Sequence, residues 1–217
     1  IRALVAPMRN RSQRLADLRA QRAANRLGAQ RLGELIGRHG LDHVRDGMTA
    51  VLDHAERRGR AAIAALPDGT YRATDSLEAA DGSAVPLRVE VTIEGEEMRI
   101  DFGGSAPQVE GNLNCPLAVT KAAALFAVRV LTDPDAPPCA GGHRPITISA
   151  ERGSVLDAEP GAAVAAGNVE TSSRVADLVL AALAEVANGP AQGQGTMNNV
   201  TLAGVGADGF TYYETIG

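Results

Sequence analysis

The stretch Asp101-Phe-Gly-Gly-Ser-Ala-Pro-Gln-Val-Glu-Gly-Asn-Leu-Asn-Cys-Pro116 joins a strand-rich half of the chain to a helix-rich half. Upstream of it, apolar and polar residues alternate over Val85–Ile93 and again over Met98–Phe102. This alternation is typical of half-buried strands, so a hairpin is predicted to lead into the stretch. Gly103 and Gly104 permit backbone angles that a side chain would forbid, and they predict a sharp bend directly after the hairpin.

Three polar side chains lie in or beside this bend: Asp101, Asn112 and Asn114. A carboxylate and two amides on a loop that a rigid scaffold supports are suited to contacts with a ligand. The same residue types commonly hydrogen-bond the backbone of turns. From the residues alone, both interpretations stay open.

Outward from this stretch, the chain is predicted to have an α+β fold in two parts, a helical hairpin over residues 1–66 and an α+β domain over residues 67–217. In the first part, apolar residues at helical spacing predict a helix over Ser12–Arg38, with Ser12 as its N-cap, and a second helix over Leu41–Ala65. An apolar stripe on the first helix is expected to pack against the second helix in an antiparallel hairpin.

The second part is predicted to open with an antiparallel β-meander and to continue with mixed helices and strands. The hydrophobic period changes from two to that of a helix after the central stretch. The predicted elements are strands at Tyr71–Leu77, Val85–Ile93 and Met98–Phe102, a buried helix at Ala118–Leu131, a strand at Ile146–Ser149, a helix at Val175–Val186, and a closing hairpin of Val200–Leu202 with Phe210–Thr215.

A second group of polar residues precedes the last predicted helix: Asn168, Glu170 and Thr171, with Arg174 one turn further on. Free N–H groups and the helix dipole attract anions to a helix N-terminus, so a carboxylate or another anion is one expected ligand. Ordinary capping by Thr171, with Glu170 compensating the dipole, is the alternative interpretation.

The formal net charge of the 217 residues is −5, which argues against a general nucleic-acid binder. The charge is uneven, because Arg2–Arg31 holds many arginines and Asp17 is its one acidic residue. Such a run is typical of a solvated face or of a face that pairs with an acidic partner surface, and it also occurs in phosphate-binding helices. No aromatic residue is interleaved for base stacking, which weakens the nucleic-acid interpretation further.

The two cysteines, Cys115 and Cys139, have neither CxxC spacing nor secretory context, so both are expected to be reduced thiols of a cytoplasmic protein. Cys139 and His143 lack the further ligands that a zinc site needs, and no metal ligands are predicted in this chain. No apolar run of membrane-spanning length is present, so no membrane partner is expected.

A set of short motifs, in this order along nearly the whole chain, resembles the hydantoinase B/oxoprolinase family. The ordered set is more specific than any single motif in it. The motifs are Leu66-Pro-Asp-Gly-Thr-Tyr71, Asp101-Phe-Gly-Gly-Ser105, Gly111-Asn-Leu-Asn114, Gly142-His-Arg-Pro-Ile146, Gly153-Ser-Val-Leu156, Gly167-Asn-Val-Glu-Thr171 and Tyr212-Tyr-Glu-Thr-Ile-Gly217.

The resemblance implies an internal part of a longer cytoplasmic B-type component, inactive alone and oligomeric in its full-length form. It implies an ATP-binding A-type partner, as a separate subunit or a fused domain, and a small-molecule substrate. The implied reaction is ATP-driven opening of a cyclic amide, with ATP-driven carboxylation of a ketone as the alternative. In both, phosphorylation activates an amide or enol oxygen. A divalent metal is expected to bind segments of family members that lie outside this chain.

Two hypotheses follow for the role of this chain. In the first, the loops that hold Asp101–Asn114 and Asn168–Thr171 line a substrate cleft, with the catalytic residues themselves unknown. In the second, the chain is a non-catalytic scaffold, and Arg14, Arg19 and Arg22 of the first helix dock the A-type partner.

Overall fold

The computed structural model describes residues 2–8, 10–204 and 209–216, with the side chains of Arg2 and Thr211 left aside. Within the described residues the chain divides into two compact units, residues 1–51 and residues 52–217. The predicted class is confirmed: a helical N-terminal region precedes a sheet with both antiparallel and parallel strands.

The first unit is helical. It contains α1 (Arg2–Val5), α2 (Arg11–His39) and the beginning of α3 (Leu41–Ala64), which continues into the second unit. Gly40 separates α2 from α3 with a φ of 83°, a positive value that favours glycine at this position. Among the described residues, no helix is long and apolar enough to cross a bilayer.

Two expectations for α2 are wrong. Ser12 is not its N-cap, because the helix already begins at Arg11, after Asn10. The apolar stripe of α2 is not buried, since no residue of α2 is buried and Leu27 is 53% exposed. At 3.6 residues per turn, Leu27 lies nearly opposite Leu18, so the leucines do not form one continuous stripe.

The second unit is built on a four-stranded sheet in the order β1-β2-β3-β4. The first three strands, β1 (Gly69–Glu78), β2 (Ala84–Glu94) and β3 (Glu97–Asp101), pair antiparallel and form the predicted meander. The fourth strand, β4 (Ile146–Ser149), pairs parallel to β3, a neighbour that the sequence pattern did not predict.

One face of the sheet forms the core of the second unit. On β2, Val91 is fully buried and Val89 is 3% exposed, whereas Arg88, which precedes Val89 and lies on the opposite face, is exposed. The helices α4 (Leu117–Thr132) and α5 (Ser172–Leu183) pack against each other, and α5 packs on β1 and β2. The predicted closing hairpin is also present, as β5 (Asn198–Ala203) and β6 (Thr211–Ile216).

Close backbone packing joins α3 to a short 3-10 turn at Ala140–His143. A Cβ atom added to Gly141 would overlap the carbonyl oxygen of Leu52, and one added to Gly59 would lie 2.9 Å from the carbonyl oxygen of Gly142. Two glycines thus allow the turn to lie directly on the helix backbone.

Charged side chains surround this contact. Arg144, just after the turn, donates to Asp53 at 2.9 Å and to Glu56 at 2.8 Å, and Glu56 also accepts from Arg60 at 2.9 Å. Hydrogen bonds from Arg144 and then from Arg60 hold the pKa of Glu56 below its usual value.

We expect the Glu56→Gln variant to have a slightly lower Tm than the unmodified chain near pH 7. Because the pKa of Glu56 is lowered on folding, its stabilising contribution is present above the unfolded pKa of about 4.3 and is lost as the pH falls through the lower folded value. The difference in Tm should therefore shrink in acid. Thermal unfolding followed by circular dichroism at several pH values measures it.

Glu96 gives the matched control, because it is an exposed glutamate that forms no ion pair within the described residues. Glu96→Gln should leave Tm unchanged at every pH. A Tm difference for Glu56→Gln that stays constant from neutral pH into acid would contradict the assigned role of its charge.

Candidate functional site

Asn114 organises the loop that the sequence singled out. Its side chain is buried, with 1% exposure, and its Oδ1 accepts the N–H of Val109 at 2.8 Å. Its Nδ2 donates to the carbonyl oxygens of Val109 at 2.9 Å, Gly111 at 3.3 Å and Ala163 at 3.1 Å. These bonds close the loop on itself and tie it to a segment far along the chain.

A second set of contacts joins the same two segments. The Thr171 hydroxyl donates to the carbonyl oxygen of Leu113, and the N–H of Ala166 donates to that of Asn112 at 2.9 Å. Gly167 lies so close that an added Cβ would be 2.6 Å from the carbonyl oxygen of Asn114. We call residues 109–114 and 163–171 together the amide junction.

Helical structure at the junction differs from the sequence prediction. Gly167–Thr171 forms one turn of π-helix, and α5 follows directly at Ser172. Thr171 occupies the N-cap position of α5 as predicted, but its side chain makes no capping bond, because its hydroxyl donates to the carbonyl oxygen of Leu113. Single π turns inside helices occur frequently at functional sites, since the extra residue redirects side chains.

The junction brings together five of the six candidate residues. Asn114 and Thr171 are buried within it, and their polar atoms are engaged by the backbone. Asn112 and Asn168 are exposed, and Glu170 is half-buried. Within the described residues, the side-chain amides of Asn112 and Asn168 make no hydrogen bond, so each can offer an N–H donor and a carbonyl acceptor to a bound molecule.

The sixth candidate, Asp101, has a separate environment at the end of β3. Its Oδ1 accepts from the Ser149 hydroxyl at 3.0 Å and from the N–H of Gly103 at 3.2 Å, and Arg99 lies 3.3 Å from Oδ2. Within the described residues, no hydrogen bond joins Asp101 to the amide junction. Its contacts fix the bend where the sheet ends.

One face of α5 and the preceding π turn carries a row of polar residues that sequence reasoning did not assemble. Glu170 accepts from the Thr196 hydroxyl, Arg174 donates to the carbonyl oxygen of Gln194 at 3.2 Å, and Asp177 accepts the N–H of Gly193 at 3.0 Å. Their spacing of four and three residues places them on one helical face. This spacing is the sequence feature from which the row could have been predicted.

The segment of residues 192–197 therefore runs along this row, and each turn of the helix forms one of these hydrogen bonds with it. Gly195 lies directly on the guanidinium group of Arg174, where a side chain would have no room. Arg174 also forms an ion pair at 3.1 Å with Asp75 of β1. The sequence pattern did not predict this partner. The positive charge expected to attract an anion at this helix start is thus already compensated within the chain.

Cys115 lies beside the junction, and its thiol is 3.8 Å from the carbonyl oxygen of Gly167. Burial raises the pKa of this thiol, which disfavours its reactive thiolate form. Both cysteines are free thiols. Among the described residues, no group of three His, Cys, Asp or Glu side chains is placed to hold a metal ion.

Comparison with known proteins gives the chain a clear set of relatives. The family model for hydantoinase B/oxoprolinase matches residues 1–217. The 5-oxoprolinase of Saccharomyces cerevisiae is 37% identical over an alignment of 217 residues, which covers 94% of this chain and 16% of that protein. The chain therefore spans only a small part of the length of this relative.

Solved structures resemble the fold as well. The crystal structure of the ATP-dependent caprolactamase from Pseudomonas jessenii superposes with a TM-score of 0.79 and 28% identity, covering 86% of this chain and 32% of that one. A nucleotide-free acetone carboxylase structure gives a TM-score of 0.61 at 14% identity over 71% of this chain and 22% of that one, a likeness that shows the fold alone.

Proposed function

This chain belongs to the hydantoinase B/oxoprolinase family, and from that membership we propose that it is part of the B-type component of an ATP-dependent cyclic-amide hydrolase. The observation that carries the proposal is the structural match to a caprolactamase over 86% of the chain. Caprolactam and 5-oxoproline, which give two of the matched proteins their names, are both lactams. A lactam is therefore the substrate class that we propose.

The chain's contribution, on this proposal, is to hold the cyclic amide rather than ATP. The sequence has no glycine-rich phosphate-binding motif of the kind that cradles nucleotide phosphates. We place ATP binding in an A-type partner, a separate subunit or a fused domain of a cytoplasmic complex. The described residues do not fit a metal site, so we place any divalent metal of the complete enzyme outside them.

The amide junction is the proposed substrate-facing surface. A lactam presents one N–H donor and one carbonyl acceptor, and the exposed amides of Asn112 and Asn168 can match both. Glu170 adds a half-buried carboxylate acceptor beside them. Asn114 and Thr171 are proposed to position these groups, because their own polar atoms are already used by the backbone.

Asp101 is proposed to shape the end of the sheet that leads into the junction. Its carboxylate engages Ser149 and the N–H of Gly103, which fixes the bend after β3. A direct substrate contact is not required for that role.

The proposal is tested by measuring ATP hydrolysis by the full-length protein together with its A-type component. We expect stimulation by 5-oxoproline, caprolactam or hydantoin without added bicarbonate, with the ring-opened product formed in step with ADP. Omitting the A-type component is the control, and it should abolish ATP hydrolysis.

Stimulation by acetone or acetophenone that requires bicarbonate would instead identify a ketone carboxylase component and contradict the lactam proposal. ATP hydrolysis that no cyclic amide increases would contradict it as well.

A further inference from the structure

The arginines of α2 fall into two groups with different surroundings. Arg14 pairs with Asp17 at 3.0 Å, Arg31 pairs with Glu34 at 2.8 Å, and Arg38 donates to the backbone of Glu34. The other four form no ion pair or hydrogen bond through their side chains within the described part of the chain: Arg11, Arg19, Arg22 and Arg26.

The four unpaired arginines share one side of the helix. At 3.6 residues per turn, they lie within an arc of about 100°, and the half-buried Leu15 and Leu18 lie in the same arc. The side chains of Arg14, Arg31 and Arg38 point outside this arc. We call the set of Arg11, Leu15, Leu18, Arg19, Arg22 and Arg26 the arginine face.

The stability of the helix itself does not explain this arrangement. Arg11 and Arg14 lie in the first turn, where the helix dipole disfavours positive charge, and the first turn has no acidic residue. Arg19, Arg22 and Arg26 follow one another at spacings of three and four residues, where like charges repel. Carboxylates on another surface would remove both penalties at once.

We propose that the arginine face docks an acidic protein surface, with carboxylates opposite the four arginines and an apolar contact opposite Leu15 and Leu18. The face extends about 22 Å along the helix, long enough to cover a substantial interface. This inference rests on the proposed function in one respect, because the A-type component is the partner used as the probe. It removes Arg14 from the docking residues that the sequence suggested, since Arg14 is paired within the helix.

Other occupants fit the face less well. A second copy of the chain would bring identical arginine faces together, and they would repel. Nucleic acid is disfavoured by the net charge of −5 and by the lack of any Phe, Tyr or Trp in residues 1–51. A membrane surface would need a continuous apolar side, and α2 has none, since Leu27 and Leu18 lie nearly opposite each other.

The test compares two double charge reversals in the full-length protein. Arg22→Glu/Arg26→Glu changes the arginine face, and Arg45→Glu/Arg57→Glu is the matched control on α3, at exposed arginines that form no ion pair within the described residues. Binding to the purified A-type component is measured by biolayer interferometry, with a fused component released by an engineered protease site.

We expect the Arg22→Glu/Arg26→Glu variant to bind about 10- to 100-fold more weakly and the control to bind as the unmodified protein does. Binding by the unmodified protein should weaken as NaCl rises from about 0.05 M to about 0.5 M, and this dependence should be smaller for the variant. A charge-neutral Arg22→Gln/Arg26→Gln variant should give an intermediate loss. Circular dichroism and Tm confirm that each variant is folded.

Equal binding by the two reversed variants would overturn the inference and leave the lactam proposal intact, because turnover is measured separately. Loss of binding to a short single-stranded oligonucleotide or to anionic phospholipid vesicles, with binding to the A-type component unchanged, would also overturn it. If the unmodified protein does not bind the A-type component, the docking inference fails, and ring opening by the complete system then decides the proposed function independently.

Discussion

Replacing Asn114 with alanine is expected to destabilise the second unit by about 2–4 kcal/mol. The side chain is buried, and it makes four hydrogen bonds with the backbone of two segments. Its removal leaves the N–H of Val109 and three carbonyl oxygens without these partners. The half-burial of Val109 lets water replace part of the loss, which sets the lower end of the range. Urea unfolding of the chain measures the change.

Asn112 provides the matched comparison, because it is an asparagine of the same loop with an exposed side chain. Asn112→Ala should change the free energy of unfolding by less than about 0.5 kcal/mol. In the full-length enzyme it should nevertheless lower kcat/KM for the lactam by about tenfold or more, as expected for a lost substrate hydrogen bond.

The pair of variants separates a structural from a substrate-binding role within one loop. If Asn114→Ala were as stable as the unmodified chain, the assigned clamping role of Asn114 would be wrong. If Asn112→Ala kept full turnover, the proposed contact between Asn112 and the lactam would be wrong, while the fold argument would stand.

Gly141→Ala is expected to destabilise the second unit by roughly 3 kcal/mol, because its Cβ would overlap the carbonyl oxygen of Leu52. Both atoms belong to backbone in regular structure, so neither can move away by a simple rotation of a side chain. The helix α3 and the 3-10 turn would have to separate. Urea unfolding should show a lower midpoint with an unchanged slope.

Gly142 is the control for this substitution, since a Cβ there would lie 3.6 Å from the carbonyl oxygen of Ala55, an ordinary contact. Gly142→Ala should therefore change stability by less than about 0.5 kcal/mol. Similar stabilities for the two alanine variants would show that the contact between the turn and α3 tolerates an added methyl group.

Elements with a strong hydrophobic period were predictable from the sequence to within about two residues at most ends. The strand predicted at Ile146–Ser149 has those bounds in the structure, and the helix predicted at Ala118–Leu131 extends by one residue at each end. Periodicity reports which face of an element is buried. It does not report the partner, so the parallel pairing of β4 with β3 had no signal in the pattern.

The candidate site was predictable as a set of residue types but not as a set of roles. Asn112 and Asn114 are the same residue two positions apart, yet one is exposed and the other is buried in backbone contacts. The distinction depends on Ala163, which approaches only after folding. The hydroxyl of Thr171 likewise could not be told from a capping group, because its partner Leu113 lies far away in the sequence.

Composition alone does not show which arginines of α2 have an acidic partner. The sequence shows a basic run, but only helical geometry separates Arg14, which has an acid partner, from Arg22, which has none within the described residues. A count of charges therefore predicted a docking helix, and the structure was needed to choose its face.

The parallel pairing of β4 with β3 also bears on how the chain acquires its fold during synthesis. The strands β1 to β3 follow one another closely, so their local contacts can form as soon as they leave the ribosome. Until Ile146–Ser149 emerges, β3 is an open strand edge whose unpaired backbone groups invite association with other nascent chains. The time needed to synthesise α4 and the following loop is thus the period in which the unpaired edge of β3 can aggregate. This period ends when β4 pairs with β3.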